Sequence, residues 1–331
     1  MSSIDFKQLF KSFHSVKIGV IGDVMLDTYW WGQVDRISPE APVPVVTVNR
    51  KEQRIGGAAN VALNLSSLGA PVTLFSVLGE DEDGLILSDL LKDHRIGTSY
   101  LLKTDSRITT NKMRVISRNQ QMLRLDSETV HPLSVKDEEM LIGQVEKFIK
   151  EESPQAIIFE DYNKGVLTEN VIRSVIGLCK KYSVITAADP KRKYFFQYKE
   201  VDIFKPNLKE AREALNLLPD EVNDKILGAI HRKLQEQLSH RISFITLSEK
   251  GVFYEDAQTS DIVPSHIRNV ADVSGAGDTV IAVATLIYAM TKDVRLMAEV
   301  ANLAGGLVCE SVGTVAIDKQ RLLRECQRLL I

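Results

Sequence analysis

Cysteine is scarce in this 331-residue chain: Cys179, Cys309 and Cys326 are odd in number and far apart. Neither a disulfide framework nor a zinc ligand set is expected from them, and a reducing cytoplasm fits best. A surplus of one charge is missing too, since 41 Lys plus Arg stand against 44 Asp plus Glu, a formal net charge of -3. That balance argues against nonspecific nucleic-acid binding but leaves room for a local basic pocket holding a small anion. Long apolar runs are lacking. The most apolar stretch, Val280 to Met290, is too short to span a bilayer, and the opening MSSIDFKQLF has no basic segment followed by an apolar core. No membrane insertion and no export are expected. Repeats, low-complexity tracts and Gly-, Ser- or Pro-rich linkers are also absent, so one domain over residues 1–331 is the expectation.

The sequence has 44% hydrophobic and 26% charged residues, the mix of an ordinary globular protein. Val- and Ile-rich runs alternate with helix-period stretches, the pattern of parallel strands joined by crossover helices. Strands are predicted at Lys17 to Ile21, Val72 to Val77, Ala156 to Phe159, Ser183 to Ala187, Ile203 to Lys205 and Ile242 to Thr246. Helices are predicted at Ala58 to Leu68, Gly84 to His94, Lys136 to Glu151, Glu169 to Lys181, Leu208 to Leu215 and Asp224 to Leu238. The fold class is therefore α/β, a doubly wound and mostly parallel sheet flanked by helices. Two stretches break the alternation. Thr28 to Arg54 is aromatic, β-branched and interrupted by Pro39, Pro42 and Pro44, and Thr109 to Asp126 reads as a strand pair. Together they predict a small β lid over the carboxyl edge of the sheet, where open α/β sheets bind ligands.

The segment Asp272 to Asp278, DVSGAGD, precedes an apolar helical run. Small residues let backbone approach a ligand, and a helix start offers free amides and a positive dipole to an anion. The amides of Gly275, Ala276 and Gly277 would then stabilise a transferring phosphoryl group while Asp278 takes a proton from a hydroxyl nucleophile. Taken alone, the same residues fit a plain helix cap better. A dinucleotide fingerprint is incomplete, because Val280 stands where the third glycine belongs. A Walker A loop fails as well: Gly79 and Gly84 have its spacing, but Leu85 and Ile86 replace the Lys and the hydroxyl residue. In Ile55 to Val61, IGGAANV, the Gly pair and Asn60 could present donors and acceptors to a sugar, or merely allow close helix packing. Asp27, beyond the first strand, could grip hydroxyls or cap a turn.

Gly56, Gly57 and Asn60, with Gly69 and Gly79 at later spacings, resemble the first signature of the PfkB, or ribokinase-like, carbohydrate kinases, and Asp272 to Asp278 resembles the second. Between them Lys205 to Glu210, KPNLKE, is similar to the family's Asn-x-x-Glu element. The resemblance runs from about Val16 to the C-terminal helix, nearly the whole chain. It implies a ribokinase-like fold and an ATP-dependent kinase with Asp278 as catalytic base and Gly275, Ala276 and Gly277 as anion hole. It makes Asp27, Gly57 and Asn60 sugar contacts, and Asn207 and Glu210 organisers of Mg2+ and phosphate, largely through water. Ser248 and Gly251 fall beside the nucleotide; Asn302 and the Gly313–Thr314 turn fall where the family builds its adenine pocket. Ser248 stands where ribokinases often have Gly, and Val283 where a small residue is common.

Further blocks, Gly22 to Asp27, Arg36 to Val45, Thr109 to Arg114 and Gln120 to Asp126, are similar to the family branch that acts on D-glycero-D-manno-heptose 7-phosphate. This implies phosphoryl transfer to the anomeric hydroxyl, giving the 1,7-bisphosphate on the route to ADP-heptose for bacterial surface polysaccharide. As a strand, the lid would put Thr110, Lys112 and Arg114 on one face, and Met122, Arg124 and Asp126 likewise, so that cations converge on the remote phosphate. Lys164 and Lys191 are additional phosphate contacts; otherwise all these cations are simply solvated surface. The His residues, 6 in all, show no metal spacing, and surface or cap roles are expected for each. Alternatives are a PfkB kinase for another sugar or nucleoside, and a noncatalytic sensor. With no nucleotidyltransferase-like segment in the sequence, a separate protein is expected to carry out adenylyl transfer. Edge strands pair readily, so a homodimer through Thr28 to Val48 is expected, as the resemblance also implies.

Overall fold

Every residue of the strands Ile18–Gly22 and Ala156–Glu160 is buried, because a parallel sheet covered on both faces by helices has no wet side. These strands belong to a computed structural model that describes residues 4–118, 120–218, 222–266 and 268–330. In chain order the strands are β1 (Ile18–Gly22), β2 (Val24–Ile37), β3 (Pro44–Gly57), β4 (Val72–Gly79), β5 (Leu101–Thr104), β6 (Asn111–Ser117) and β7 (Gln120–Ser127). They continue as β8 (Ala156–Glu160), β9 (Ile185–Asp189), β10 (Ile203–Phe204), β11 (Ile242–Thr246), β12 (Val252–Glu255) and β13 (Ser260–Val263). A 9-stranded sheet runs β13-β12-β11-β10-β9-β8-β1-β4-β5, and a 4-stranded sheet runs β3-β2-β6-β7.

The main sheet is parallel except at one edge, where β11, β12 and β13 pair antiparallel. This is the doubly wound, mostly parallel α/β fold expected from the sequence, with an antiparallel edge in addition. Along β1, Ile18 and Val20 join the apolar cluster under the helices Ala58–Leu68, Ala276–Thr291 and Val294–Val308, while Ile21 joins that under Val135–Glu152 and Glu169–Lys181. Strand alternation thus divides the core between the two faces.

Side-chain caps explain why several helix limits were legible. Thr168 Oγ1 accepts from the Val171 amide at 3.3 Å and Asn223 Oδ1 from the Ile226 amide at 3.0 Å, starting the helices Glu169–Lys181 and Asp224–Leu238. Other limits moved. Asp81 Oδ1 accepts from the Gly84 amide at 2.8 Å, so that helix begins earlier, at Glu82. Ser183 has φ 57° and is still turning, which delays β9 to Ile185. Lys205 lies beyond β10, ahead of Pro206, a residue that disfavours helical backbone before it.

The two lid stretches do pair into one sheet, β2 running parallel to β6. Residue 119, inside the second stretch, lies outside the described residues. β2 is buried from Val24 to Tyr29 and opens to solvent beyond, where the hairpin leaves the main body. Ile37, Val43 and Val48 are exposed on this hairpin, and Leu123 and Leu125 on β7 of the same sheet. No helix among the described residues is long and apolar enough to cross a membrane.

Candidate active site

The helix Ala276–Thr291 starts from Gly275, whose left-handed backbone, φ 76°, turns the chain into it without a side-chain cap. A Cβ at Gly275 would lie 2.7 Å from Asn60 Nδ2, so glycine also makes room for the neighbour that holds Asp278. Asn60 Nδ2 donates to Asp278 Oδ2 at 2.8 Å, and the Tyr162 hydroxyl donates to Oδ1 at 2.7 Å. Asn60 comes from the first turn of Ala58–Leu68, Tyr162 from the loop after β8 and Asp278 from the first turn of Ala276–Thr291. Of the expected anion-hole amides, that of Ala276 is directed to the Val273 carbonyl at 3.2 Å. The Gly277 and Asp278 amides have no carbonyl one turn back within the helix, which is the usual origin of anion affinity at a helix start.

Burial raises the Asp278 carboxyl above its ordinary value, while the donors Asn60 and Tyr162 pull it back towards the ionised form. Around it lie Glu160 at the end of β8, Asp189 at the end of β9 and Lys205 beyond β10. Lys205 Nζ is 2.7 Å from Asp189 Oδ2. Although burial opposes it, Lys191 and Lys205 hold Asp189 below the carboxylate norm. Glu160 is 0% exposed, and neither carboxyl oxygen has a hydrogen-bond partner. Burial first, and then Asp189 and Asp278, push its pKa well up, which favours its neutral form. For Glu160 and Asp189 the sequence offered one signal, carboxylates at the carboxyl ends of parallel strands, and Lys205 opens the KPNLKE element already singled out.

Asp27 and Gly57 lie where the lid joins the body. Gly57 has φ 62°, and a Cβ there would meet the Asp23 carbonyl oxygen at 2.4 Å. Asp27 is paired with Arg114. Arg124 is bound through Nε and Nη2 to Asp126 at 2.8 and 3.0 Å and is about half exposed at the rim. Lys164 Nζ lies 2.6 Å from Glu128 Oε2. Lys112 differs from these. It has no ion-pair partner among the described residues; its Nζ stands 5.2 Å from the Tyr162 ring centroid, and burial lowers its pKa. The cations expected on the remote phosphate are therefore unequal: Arg114 and Arg124 of the lid and Lys164 of the loop after β8 are already compensated by carboxylates, and Lys112 is available.

Asn207 and Glu210 form a capping box on the helix Leu208–Ala214. Glu210 Oε1 also meets Lys191 Nζ at 2.8 Å, and Lys191 Nζ lies 3.6 Å from Asp189 Oδ1. No group of three or more His, Cys, Asp or Glu able to hold a metal occurs among the described residues. The oxygens present suit a hydrated Mg2+, which keeps several waters and leans on one or two carboxylates plus phosphates. A cationic ammonium already sits between two of them. Asn302 Nδ2 donates to the Pro264 carbonyl at 2.9 Å, tying its helix to the segment after β13. Ser248 and Gly251 belong to the turn between β11 and β12, and Gly313 donates its amide to Asp272 Oδ2 at 2.8 Å. Arg54, which carried no signal in the sequence, donates from β3 to the Val312 carbonyl at 2.6 Å and so ties the lid to that turn. The histidine expectation needs correction. His231 and His240 are buried, 4% and 1% exposed, and flank Ser243 Oγ at 2.8 and 2.6 Å. An apolar helix face carries His231 inward, and the connection ahead of β11 carries His240.

The chain is similar to known proteins over most of its length. The sequence model for pfkB family carbohydrate kinases matches residues 16–321. The chain is 38% identical over 303 residues to the bifunctional protein HldE of Campylobacter curvus, covering 92% of this chain and 63% of that protein. It is 41% identical over 305 residues to the bifunctional protein HldE of Aliarcobacter butzleri, covering 91% and 62%. It therefore spans less than two thirds of the length of these relatives. Among solved structures, phosphofructokinase-2 from Escherichia coli in complex with potassium superposes with a TM-score of 0.78 at 18% identity, covering 95% of this chain and 100% of that one. Arabidopsis thaliana ribokinase complexed with ribose and ATP gives 0.73 at 18% identity, covering 93% and 99%.

Proposed function

Since this chain belongs to the pfkB family of carbohydrate kinases, we propose that it transfers the γ-phosphoryl group of ATP to the anomeric hydroxyl of D-glycero-β-D-manno-heptose 7-phosphate. The product is the 1,7-bisphosphate, a precursor on the route to ADP-heptose. The observation that carries the reading is Asp278: a buried carboxylate on the first turn of a helix, oriented by Asn60 and Tyr162 beside amides free to receive an anion. Support for the particular sugar comes from the lid sequence blocks and from the likeness to HldE proteins.

Phosphoryl transfer needs positioning and charge stabilisation more than covalent help. Asp278 accepts the proton of the C1 hydroxyl as that oxygen bonds to the γ-phosphorus, and the bond from phosphorus to the β,γ-bridging oxygen breaks to release ADP. The helix amides meet the charge on the transferring group. Asn60 and Gly57 border the sugar, and Lys112 holds its remote phosphate. Asn207 and Glu210 would hold Mg2+ on the nucleotide phosphates, where the ion would supply positive charge. Apolar residues exposed on the lid, Ile37, Val43 and Val48 among them, support a homodimer through that sheet.

The test is incubation with ATP, Mg2+ and heptose 7-phosphate, with mass spectrometry for the bisphosphate and phosphorus NMR for a new anomeric phosphate. Ribose, fructose 6-phosphate and nucleosides serve as competitors. Turnover of one of these in preference to the heptose overturns the substrate assignment.

A further inference from the structure

Tyr162 belongs to a loop fastened at several points. Asp23 accepts hydrogen bonds from the Tyr162 and Lys164 amides at Oδ2, 2.9 and 3.0 Å, and from the Val166 amide at Oδ1, 3.0 Å. Asp161 Oδ1 accepts from the Asn163 amide at 2.8 Å and Oδ2 from the Tyr198 hydroxyl at 2.9 Å, while Arg107 Nη2 donates to the Lys164 carbonyl. A loop held so tightly fixes the direction of its side chains. The phenol points at Asp278, and two cations lie near the ring, with Lys112 Nζ of the lid 5.2 Å and Lys191 Nζ 5.5 Å from its centroid.

The geometry points to Tyr162 as a positioning residue: with Asn60 it clamps the Asp278 carboxylate for the acceptor hydroxyl, and its ring registers the lid cation Lys112 against that base. The inference rests on the reading of Asp278 as the base. Each carboxylate oxygen has more than one acceptor site, so Tyr162 and a sugar hydroxyl can share Oδ1. Burial keeps the phenol protonated, hence always a donor. The charged and titratable groups facing Asp278 are Tyr162 and Glu160 from the β8 side, Asp189 from β9 and Lys205 beyond β10. Of these, Tyr162 donates directly to the carboxylate without bringing charge of its own.

The experiment compares Asp278→Asn, Tyr162→Phe and Tyr162→Leu in the full chain. In Tyr162→Phe the ring stays and the donor goes. Turnover falls about ten-fold, the Michaelis constant for sugar phosphate stays within about two-fold, and the acidic limb of the pH profile moves up by about one unit, the worth of one hydrogen bond to a charged group. Tyr162→Leu removes the ring too and raises the Michaelis constant for sugar phosphate as well. A second readout needs no substrate: the carboxyl titration of Asp278 by carbon NMR, assigned with Asp278→Asn, moves up by about one unit in Tyr162→Phe. An unmoved titration, or an acidic limb like that of the unaltered protein, overturns the role of Tyr162. Normal turnover in Asp278→Asn overturns instead the reading beneath it.

Discussion

Arg114 and Asp27 meet across the lid's parallel strand pair, Nη1 2.5 Å from Oδ1, with side chains 15% and 3% exposed. Such a buried pair is costly to break by halves, because the surviving carboxylate has lost its partner. Arg114→Ala is expected to cost about 3–5 kcal/mol, read from the urea midpoint. Lys112→Met removes a cation with no such partner. It should leave the midpoint alone and raise the Michaelis constant for sugar phosphate about ten-fold, with that for ATP unchanged. Equal effects of Lys112→Met on both substrates would count against its placement on the remote phosphate.

Asp278→Asn keeps the size of the side chain and its place on the first turn. Turnover is expected to fall by about 10² to 10⁴, the usual contribution of a general base, with ATP affinity by calorimetry little changed. Normal turnover would remove the base from the mechanism.

Gly275 and Gly277 should respond differently to alanine. At Gly275 a Cβ meets Asn60 Nδ2 at 2.7 Å on a backbone of φ 76°, so Gly275→Ala displaces the Asn60 clamp and lowers both stability and turnover. At Gly277 the nearest atoms, Asp189 Oδ2 and Lys205 Nζ, lie at 3.7 Å. Gly277→Ala should melt like the parent protein yet lose activity, since the methyl group intrudes where the phosphoryl group approaches. A full-activity Gly277→Ala enzyme would place the anion hole elsewhere.

His240 gives stability a pH dependence. Burial, with a smaller push from His231, lowers its pKa to about 3, whereas an unfolded His titrates near 6.5. Between those values the unfolded chain binds a proton that the folded one refuses, so stability falls as pH drops from about 6.5, by at most about 1.4 kcal/mol per unit. His240→Gln should flatten that slope in urea titrations between about pH 5 and 7. Parallel slopes in the two proteins would reject it.

Local chemistry alone determined much of this protein. The helices Ala58–Leu68, Glu169–Lys181 and Asp224–Leu238 and the strand Ile242–Thr246 were readable to the residue, because a cap, a Gly69 stop or an apolar run acts within a few positions. Gly57, Asn60, Gly275 and Asp278 were likewise visible as clustered small and polar residues in motifs. Tertiary structure decided what surrounds Asp278. Tyr162, Glu160, Asp189 and Lys205 reach it because β8, β9 and β10 lie side by side, an order set by burial of the sheet's two faces and not by any neighbour in the chain. Pairings such as Arg114 with Asp27 and Lys164 with Glu128 were decided there too. Charges find partners by distance in space once water is excluded, and sequence spacing carries no record of that distance.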